Sequence, residues 1–371
     1  MDKIDITIGG GGVIGLAVAY LLSLHLPDRS ILLIEKNHKY GQETSSHNSE
    51  VIHSGIYYPK DSLKARLCVE GLRALYDFCK KFQIPYRRTG KLIVALDNSE
   101  IPALENFYQK GISNNAPDLE IIGRNEVRKL EPCVKGIAAI YSPSTGIIDS
   151  HSLMSCFHNQ AKMRNVMFVF GREINYLNKS PEGYTVGVTG EDFKILSRVF
   201  INASGLGTDY IQNLLGIDPL KNNSKLRLCK GSYFSYQGKS PVNMLVYPLP
   251  HEGLSGLGVH ATVDLSGRLR FGPDVEFVDS VNYNVDVGKA VNFFNSAAKM
   301  IDGLELHRFQ PDLAGIRPKL CGTGIRDFMI IHEAASGLEG FINLTGIESP
   351  GLTSCLSIAE MVRKMVYEYL F

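Results

Sequence analysis

The stretch Ile4-Asp5-Ile6-Thr7-Ile8-Gly9-Gly10-Gly11-Gly12-Val13-Ile14-Gly15 decides the fold class. An apolar run at 4–8 reads as a strand, Gly10-x-Gly12-x-x-Gly15 as a tight loop, and the apolar run 13–24 as a helix. Pro27 and Asp28 punctuate the helix end, and a second strand at 31–34 runs into Glu35. Strand, glycine turn, helix and strand make one βαβ unit. The glycines permit close backbone approach, and the helix start offers free N–H groups and partial positive charge to a pyrophosphate. Glu35 stands about 20 residues past Gly15, where a carboxylate accepts hydrogen bonds from an adenosine ribose. We therefore expect a dinucleotide site that includes Gly10, Gly12, Val13, Ile14, Gly15, Glu35 and Lys36.

Working outward, 371 residues suffice for a large core and two closely joined domains. Lys+Arg 39 against Asp+Glu 38 gives a net charge of +1, so no nucleic-acid surface is expected. The composition, 44% hydrophobic and 21% charged, is ordinary for a globular protein. The cysteines at 68, 79, 133, 156, 229, 321 and 355 form no Cys-x-x-Cys pair, which suggests reduced thiols and a cytoplasmic protein. The histidines lack metal-like spacing, so no metal site is expected. No apolar run reaches the roughly 18 residues that cross a bilayer, and no cleavage site follows 13–24. Peripheral contact with the inner face of a membrane stays compatible with this pattern.

Helical spacing extends over 61–82, 101–110, 124–130, 285–300 and 357–369. Strand patterns fall at 90–96, 166–170, 184–188, 198–203, 229–236, 244–248, 257–260, 268–272 and 341–344. The expected architecture is α/β, or α+β overall. A Rossmann-like domain of 1–85, 145–215 and 325–371 would carry an inserted antiparallel β-rich substrate domain of 86–144 and 216–324.

Three further segments carry chemistry. Ser45-Ser46-His47-Asn48-Ser49-Glu50-Val51-Ile52-His53-Ser54-Gly55-Ile56-Tyr57-Tyr58 can lay a polar segment and a histidine beside a cofactor ring. Ala203-Ser204-Gly205 is a second small-residue turn at a strand end. Gly346-Ile347-Glu348-Ser349-Pro350-Gly351-Leu352-Thr353-Ser354 ends at a helix start. That end would stabilise the negative charge of a reduced flavin, which a nicotinamide does not need, so FAD is the expected cofactor.

These segments, with KGSYF (230–234), GLGVHATVDLSG (256–267), GPD (272–274) and AGIRPKL (314–320), resemble the D-amino-acid-oxidase-type FAD-dependent oxidoreductases. Among these, the chain is most similar to the L-2-hydroxyglutarate dehydrogenase/oxidase group. Gly9 departs from the usual aliphatic residue before the glycine motif. The resemblance implies noncovalent FAD, with His53 and Cys355 as the positions where covalent attachment would occur. The expected FAD contacts add Ser45, Ser46, Asn48, Ser49, Ile174, Ala203, Ser204, Gly205, Gly315, Gly346, Ser349, Gly351, Leu352 and Thr353.

A 2-hydroxy dicarboxylate needs cations or hydroxyls for two carboxylates, a base for the hydroxyl proton, and alignment for hydride transfer. Arg317 is the expected C1-carboxylate partner, because guanidinium binds carboxylate bidentately. His53 and His260 are the candidate bases. Lys230, Tyr233, Tyr57 and Tyr58 are candidates for the distal carboxylate. Electrons would pass on to a quinone, another carrier or oxygen. Two other readings stay open: a flavin enzyme acting on amines, amino acids or glycerol 3-phosphate, and a non-catalytic dinucleotide-binding module.

Overall fold

Strand Asp2–Gly9 lies at the centre of an eight-stranded sheet, flanked on both sides by parallel partners. The computed structural model describes residues 1–250 and 258–371. In it, Ile31–Glu35 pairs along one side of Asp2–Gly9 and then with Met167–Phe170, while Lys194–Asn202 pairs along the other side and then with Phe341–Thr345. Ile31–Glu35 is buried at every position, as a central parallel strand must be with both faces covered. Helices Val13–His25, Ser150–Lys162 and Cys355–Leu370 pack into one apolar core against this sheet. Ile174–Ser180 and Gly183–Val188 extend it as an antiparallel flap covering the opposite face.

Register then gathers the site. Gly9 lies opposite Ile34 and Asn202, Asn202 opposite Asn343, and Glu35 opposite Phe170. The glycine loop, Glu35, the 203–205 turn and the 346–352 turn therefore leave one sheet edge together. That is where ligands bind in open parallel sheets.

A second sheet of nine strands draws on Lys91–Ala95, Glu120–Gly123 and Ala138–Ser142, then on six strands between Leu226 and Leu320. Its pairings are antiparallel except between Lys91–Ala95 and Leu245–Pro248. A small sheet of Val51–Ile52, Gly146–Ile148 and Tyr86–Arg87 is the third.

Helix 61–82 forms as Leu63–Phe82, started by Ser62, whose hydroxyl accepts from the Ala65 amide, and stopped at Gln83 in the left-handed region. The helix expected over 285–300 begins only at Ala290, because Asp286 first caps a short 3₁₀ turn. Of the strand expected at 257–260, Leu257 lies outside the described residues, and pairing begins at Ala261. Two long elements were not expected. Phe309–Leu320 contains Pro311, Gly315 and Pro318, which read as strand breakers. It pairs with Leu226–Tyr236 along one edge only, so the missing proline N–H groups break no second ladder. Ser150–Lys162 reads as polar, yet Leu153, Met154, Phe157 and Ala161 line one face and Asp149 caps its start.

Candidate active site

One cavity of about 1300 Å³ is lined from both large sheets. Its cofactor end is built on glycines. Gly10 has φ +112°, and a Cβ there would sit 2.4 Å from the Ala203 carbonyl oxygen. A Cβ on Gly15 would come within 2.0 Å of the Gly10 carbonyl oxygen, so Gly15 is required for packing and is not itself on the wall. Gly12 caps helix Val13–His25 without a side-chain acceptor, and Ser45 Oγ accepts from the Val13 amide at 2.9 Å. Glu35 is fixed by accepting from the Gly11 amide at 2.6 Å and the Asn37 amide at 2.8 Å. Gly10, Gly12, Val13, Ile14, Glu35, Ser45, Asn48, Ser49, Ala203, Ser204 and Gly205 all line the cavity. Asn48 also holds its own turn, donating to the Ser45 carbonyl and accepting from the Glu50 amide.

His53, Tyr57, Tyr58, Tyr233, His260, Gly315, Arg317, Ser349, Gly351 and Leu352 line the same cavity. His53 faces Ser349 Oγ through Nε2 at 3.3 Å, while its Nδ1 is buried with no hydrogen-bond partner among the described residues. Burial, and then the charges of Lys91 and His260, hold its pKa well below the usual histidine value. His260 stacks on Tyr247 with centroids 3.8 Å apart, and its Nδ1–H donates to the Gly258 carbonyl at 2.9 Å. That bond leaves the lone pair on Nε2. Burial pushes the His260 pKa down to about 3 against this hydrogen bond, so the ring is a neutral acceptor at neutral pH.

The Arg317 guanidinium is oriented by backbone carbonyls. Nε donates to Cys229, and Nη2 to Lys230 and Asp274 at 3.1 and 2.9 Å. Nη1 has no protein partner among the described residues and stands free for an anion. Tyr57 OH is likewise buried without a partner.

Six expected contacts lie elsewhere. Lys230 is on the far face of its strand, because alternation turns Arg227, Gly231 and Tyr233 to the cavity and sends its Nζ to the Asn284 carbonyl. Lys36 pairs with Glu43 at 2.8 Å near the surface. Ser46 donates to the Glu43 carbonyl and opens on a separate small hollow beside His151. Ile174 packs under Gly9 in the core of the flap. Gly346 turns against Leu320, and Thr353 is spent holding the His53 amide and the Val51 carbonyl. Cys355 is buried in the helical core, off the cavity wall, where burial pushes its thiol pKa up.

Other cavity residues escaped sequence reasoning. Lys64 and Lys319 both donate to Glu348 Oε1 at 2.9 Å. Burial alone would raise the Glu348 pKa, but the two ammonium groups outweigh it and hold the carboxyl below its usual range. Two lysines on one carboxylate leave the cluster net positive. No local spacing announces it, because Lys64 and Glu348 meet only through the tertiary fold.

Comparison with known proteins agrees with this geometry. The model of the FAD dependent oxidoreductase family matches residues 5–365. The chain belongs to that family. An L-2-hydroxyglutarate dehydrogenase, mitochondrial, from Arabidopsis thaliana is 36% identical over 405 residues, covering 97% of this chain and 83% of the relative. The Homo sapiens protein of the same name is 34% identical, covering 99% and 89%. Among solved structures, dithionite-reduced L-α-glycerophosphate oxidase from Mycoplasma pneumoniae with FAD bound superposes with a TM-score of 0.86 at 27% identity, covering 99% and 95%. An L-proline dehydrogenase from P. horikoshii, at 18% identity and a TM-score of 0.82, shares the fold.

The cofactor of this oxidoreductase is FAD, and the residues present fit it. A Cβ at Gly10 would run into the Ala203 backbone beside the cavity, Glu35 is pinned at the strand end, and the start of helix Val13–His25 faces the cavity. No helix among the described residues is long and apolar enough to cross a membrane. The relatives are named mitochondrial, so they lend no support to a cytoplasmic location.

Proposed function

We propose that the chain oxidises L-2-hydroxyglutarate, or a close L-2-hydroxy acid, to the 2-oxo acid. The observation that carries this reading is the presence on one cavity wall of a backbone-anchored guanidinium, Arg317, and two neutral histidines, His53 and His260. FAD, when bound, supplies the hydride acceptor. Arg317 binds the C1 carboxylate through its free Nη1 and sets the face that C2–H presents. A neutral imidazole takes the hydroxyl proton as the hydride leaves. Tyr57, Tyr58 and Tyr233 offer hydroxyls to the distal carboxylate from walls that exclude water. The names of the relatives support this substrate class. Electrons then pass to a quinone, another carrier or oxygen. The scattered free thiols favour a reducing compartment, and quinone use would bring the protein to a membrane surface.

Anaerobic addition of L-2-hydroxyglutarate to the flavin-loaded protein tests the reading. Flavin absorbance that bleaches with the L-form and not the D-form is the expected result. Bands that persist with the L-form and bleach with glycerol 3-phosphate or an amine would replace it.

A further inference from the structure

Behind the histidines lies Lys91, the first residue of strand Lys91–Ala95. It is fully buried, and no hydrogen-bond partner or carboxylate meets its Nζ among the described residues. Its Nζ sits between the rings of Tyr57 and Tyr247, 4.5 and 4.9 Å from their centroids. Among the described residues, the other titratable groups around it are the phenols of Tyr57 and Tyr247, His53, His260 and the thiol of Cys68 on helix Leu63–Phe82. Lys91 does not line the cavity, whereas Tyr57, His53 and His260 do.

Three of its neighbours share its condition: among the described residues His53 Nδ1, Tyr57 OH and Tyr247 OH are also buried without partners. Each such group costs on the order of 1–3 kcal/mol unless a water satisfies it. Four orphaned polar atoms in one neighbourhood therefore mark a site for buried water. His53 is placed to use it, with Nε2 toward Ser349 and the cavity and Nδ1 turned inward. His260 cannot do the same, since its Nδ1–H is committed to the Gly258 carbonyl.

We propose that Lys91 receives the substrate's hydroxyl proton from His53 through a buried water, acting behind His53 without touching the substrate. The proposal rests on the hydroxy-acid reading above. The C2–H bond breaks with its electron pair, which the bound flavin takes. The O–H proton arrives at His53 Nε2, the proton on Nδ1 leaves to the water, and the water protonates the free amine of Lys91. The ammonium returns its proton to solvent after product departs. The ordering of bases agrees. Burial holds both imidazoles too low to keep a proton, whereas Lys91, lowered from 10.5 to about 7 by burial, is free amine in a large share of molecules at neutral pH.

The test follows anaerobic flavin bleaching by L-2-hydroxyglutarate in the loaded enzyme, with a pH-indicator dye reporting protons released. In the wild type, bleaching slows as pH falls below about 7, and above it less than one proton per flavin is released while product stays bound. Lys91→Met should slow bleaching by about ten- to a hundredfold above that pH, remove the limb and release the full proton. Lys91→Arg, a permanent cation, should be slow at every pH. One full proton per flavin from the wild type at all pH values overturns the relay, as does a Lys91→Met profile within about twofold of wild type. If Lys91→Met does not fold, the wild-type dye measurement decides alone. Absence of bleaching would sink the substrate reading and the relay with it, whereas bleaching with full proton release sinks only the relay.

Discussion

Arg317 shows what a single residue contributes once the backbone holds it. Three carbonyls fix its plane before substrate arrives, so little side-chain entropy remains to be lost on binding. Arg317→Ala should lower kcat/KM by about ten- to a hundredfold, the range for losing a hydrogen bond to a charged group, with flavin still bound. Steady-state kinetics beside the absorbance spectrum check it, and unchanged kinetics would take Arg317 out of the site. Glu35→Ala removes the acceptor of a buried Gly11 amide and a wall of the proposed ribose site, so FAD should be held about tenfold or more weakly; equilibrium dialysis measures this. His260 sets a pH dependence of stability. Its pKa falls from 6.5 to about 3 on folding, so the unfolded chain binds the proton more readily between those values. Stability should decline as pH drops through 6.5 and go on declining toward about 3, and His260→Gln should flatten the Tm profile in that window. Arg317 and His260 were legible because each sits in a recognisable local segment. The Lys64–Glu348–Lys319 cluster and Lys91 were not, because a lysine's partners, or lack of them, are set by the fold. Lys230 was misassigned by one position of strand parity.

At the scale of elements, strand Phe309–Leu320 of the nine-stranded sheet crosses the 45–49 segment. A Cβ on Gly315 would stand 2.1 Å from the His47 carbonyl oxygen, so the strand lies flush on backbone. Gly315→Ala must push that segment away and should cost both flavin occupancy and turnover, whereas Gly123→Ala, whose Cβ would meet only Glu126 Oε2 at 3.9 Å, should keep the flavin. The flavin absorbance of the two purified variants makes the comparison; equal loading would mean that the crossing yields. The βαβ unit was readable because period, glycine spacing and acid agreed in one short window. The prolines of Phe309–Leu320 hid a strand that runs from the active site into the second sheet. Edge position is a property of the partner strands, and no window of sequence contains it.

Over the whole molecule, each sheet is assembled from distant stretches of chain. Asp2–Gly9 takes Lys194–Asn202 as its neighbour, and that strand takes Phe341–Thr345. The cofactor cavity is lined from nearly every one of these stretches, so ligand and fold are coupled. Saturating FAD should raise Tm, by about 2.7 kcal/mol of stability at a hundred times its Kd, and the gain should shrink in Glu35→Ala. Thermal melts across an FAD titration read this directly. The same pairing has a consequence for synthesis. On a ribosome the strand before the glycine loop emerges well before Lys194–Asn202, its second flank, and longer still before Phe341–Thr345, which extends the sheet beyond it. Until Ser150–Lys162 and then Cys355–Leu370 follow, the polypeptide's most apolar helix, Val13–His25, lacks the helices it packs against. A cell making this protein therefore has to shield the nascent chain from aggregation until the last strand is out, and flavin supply bears on its yield only after that moment.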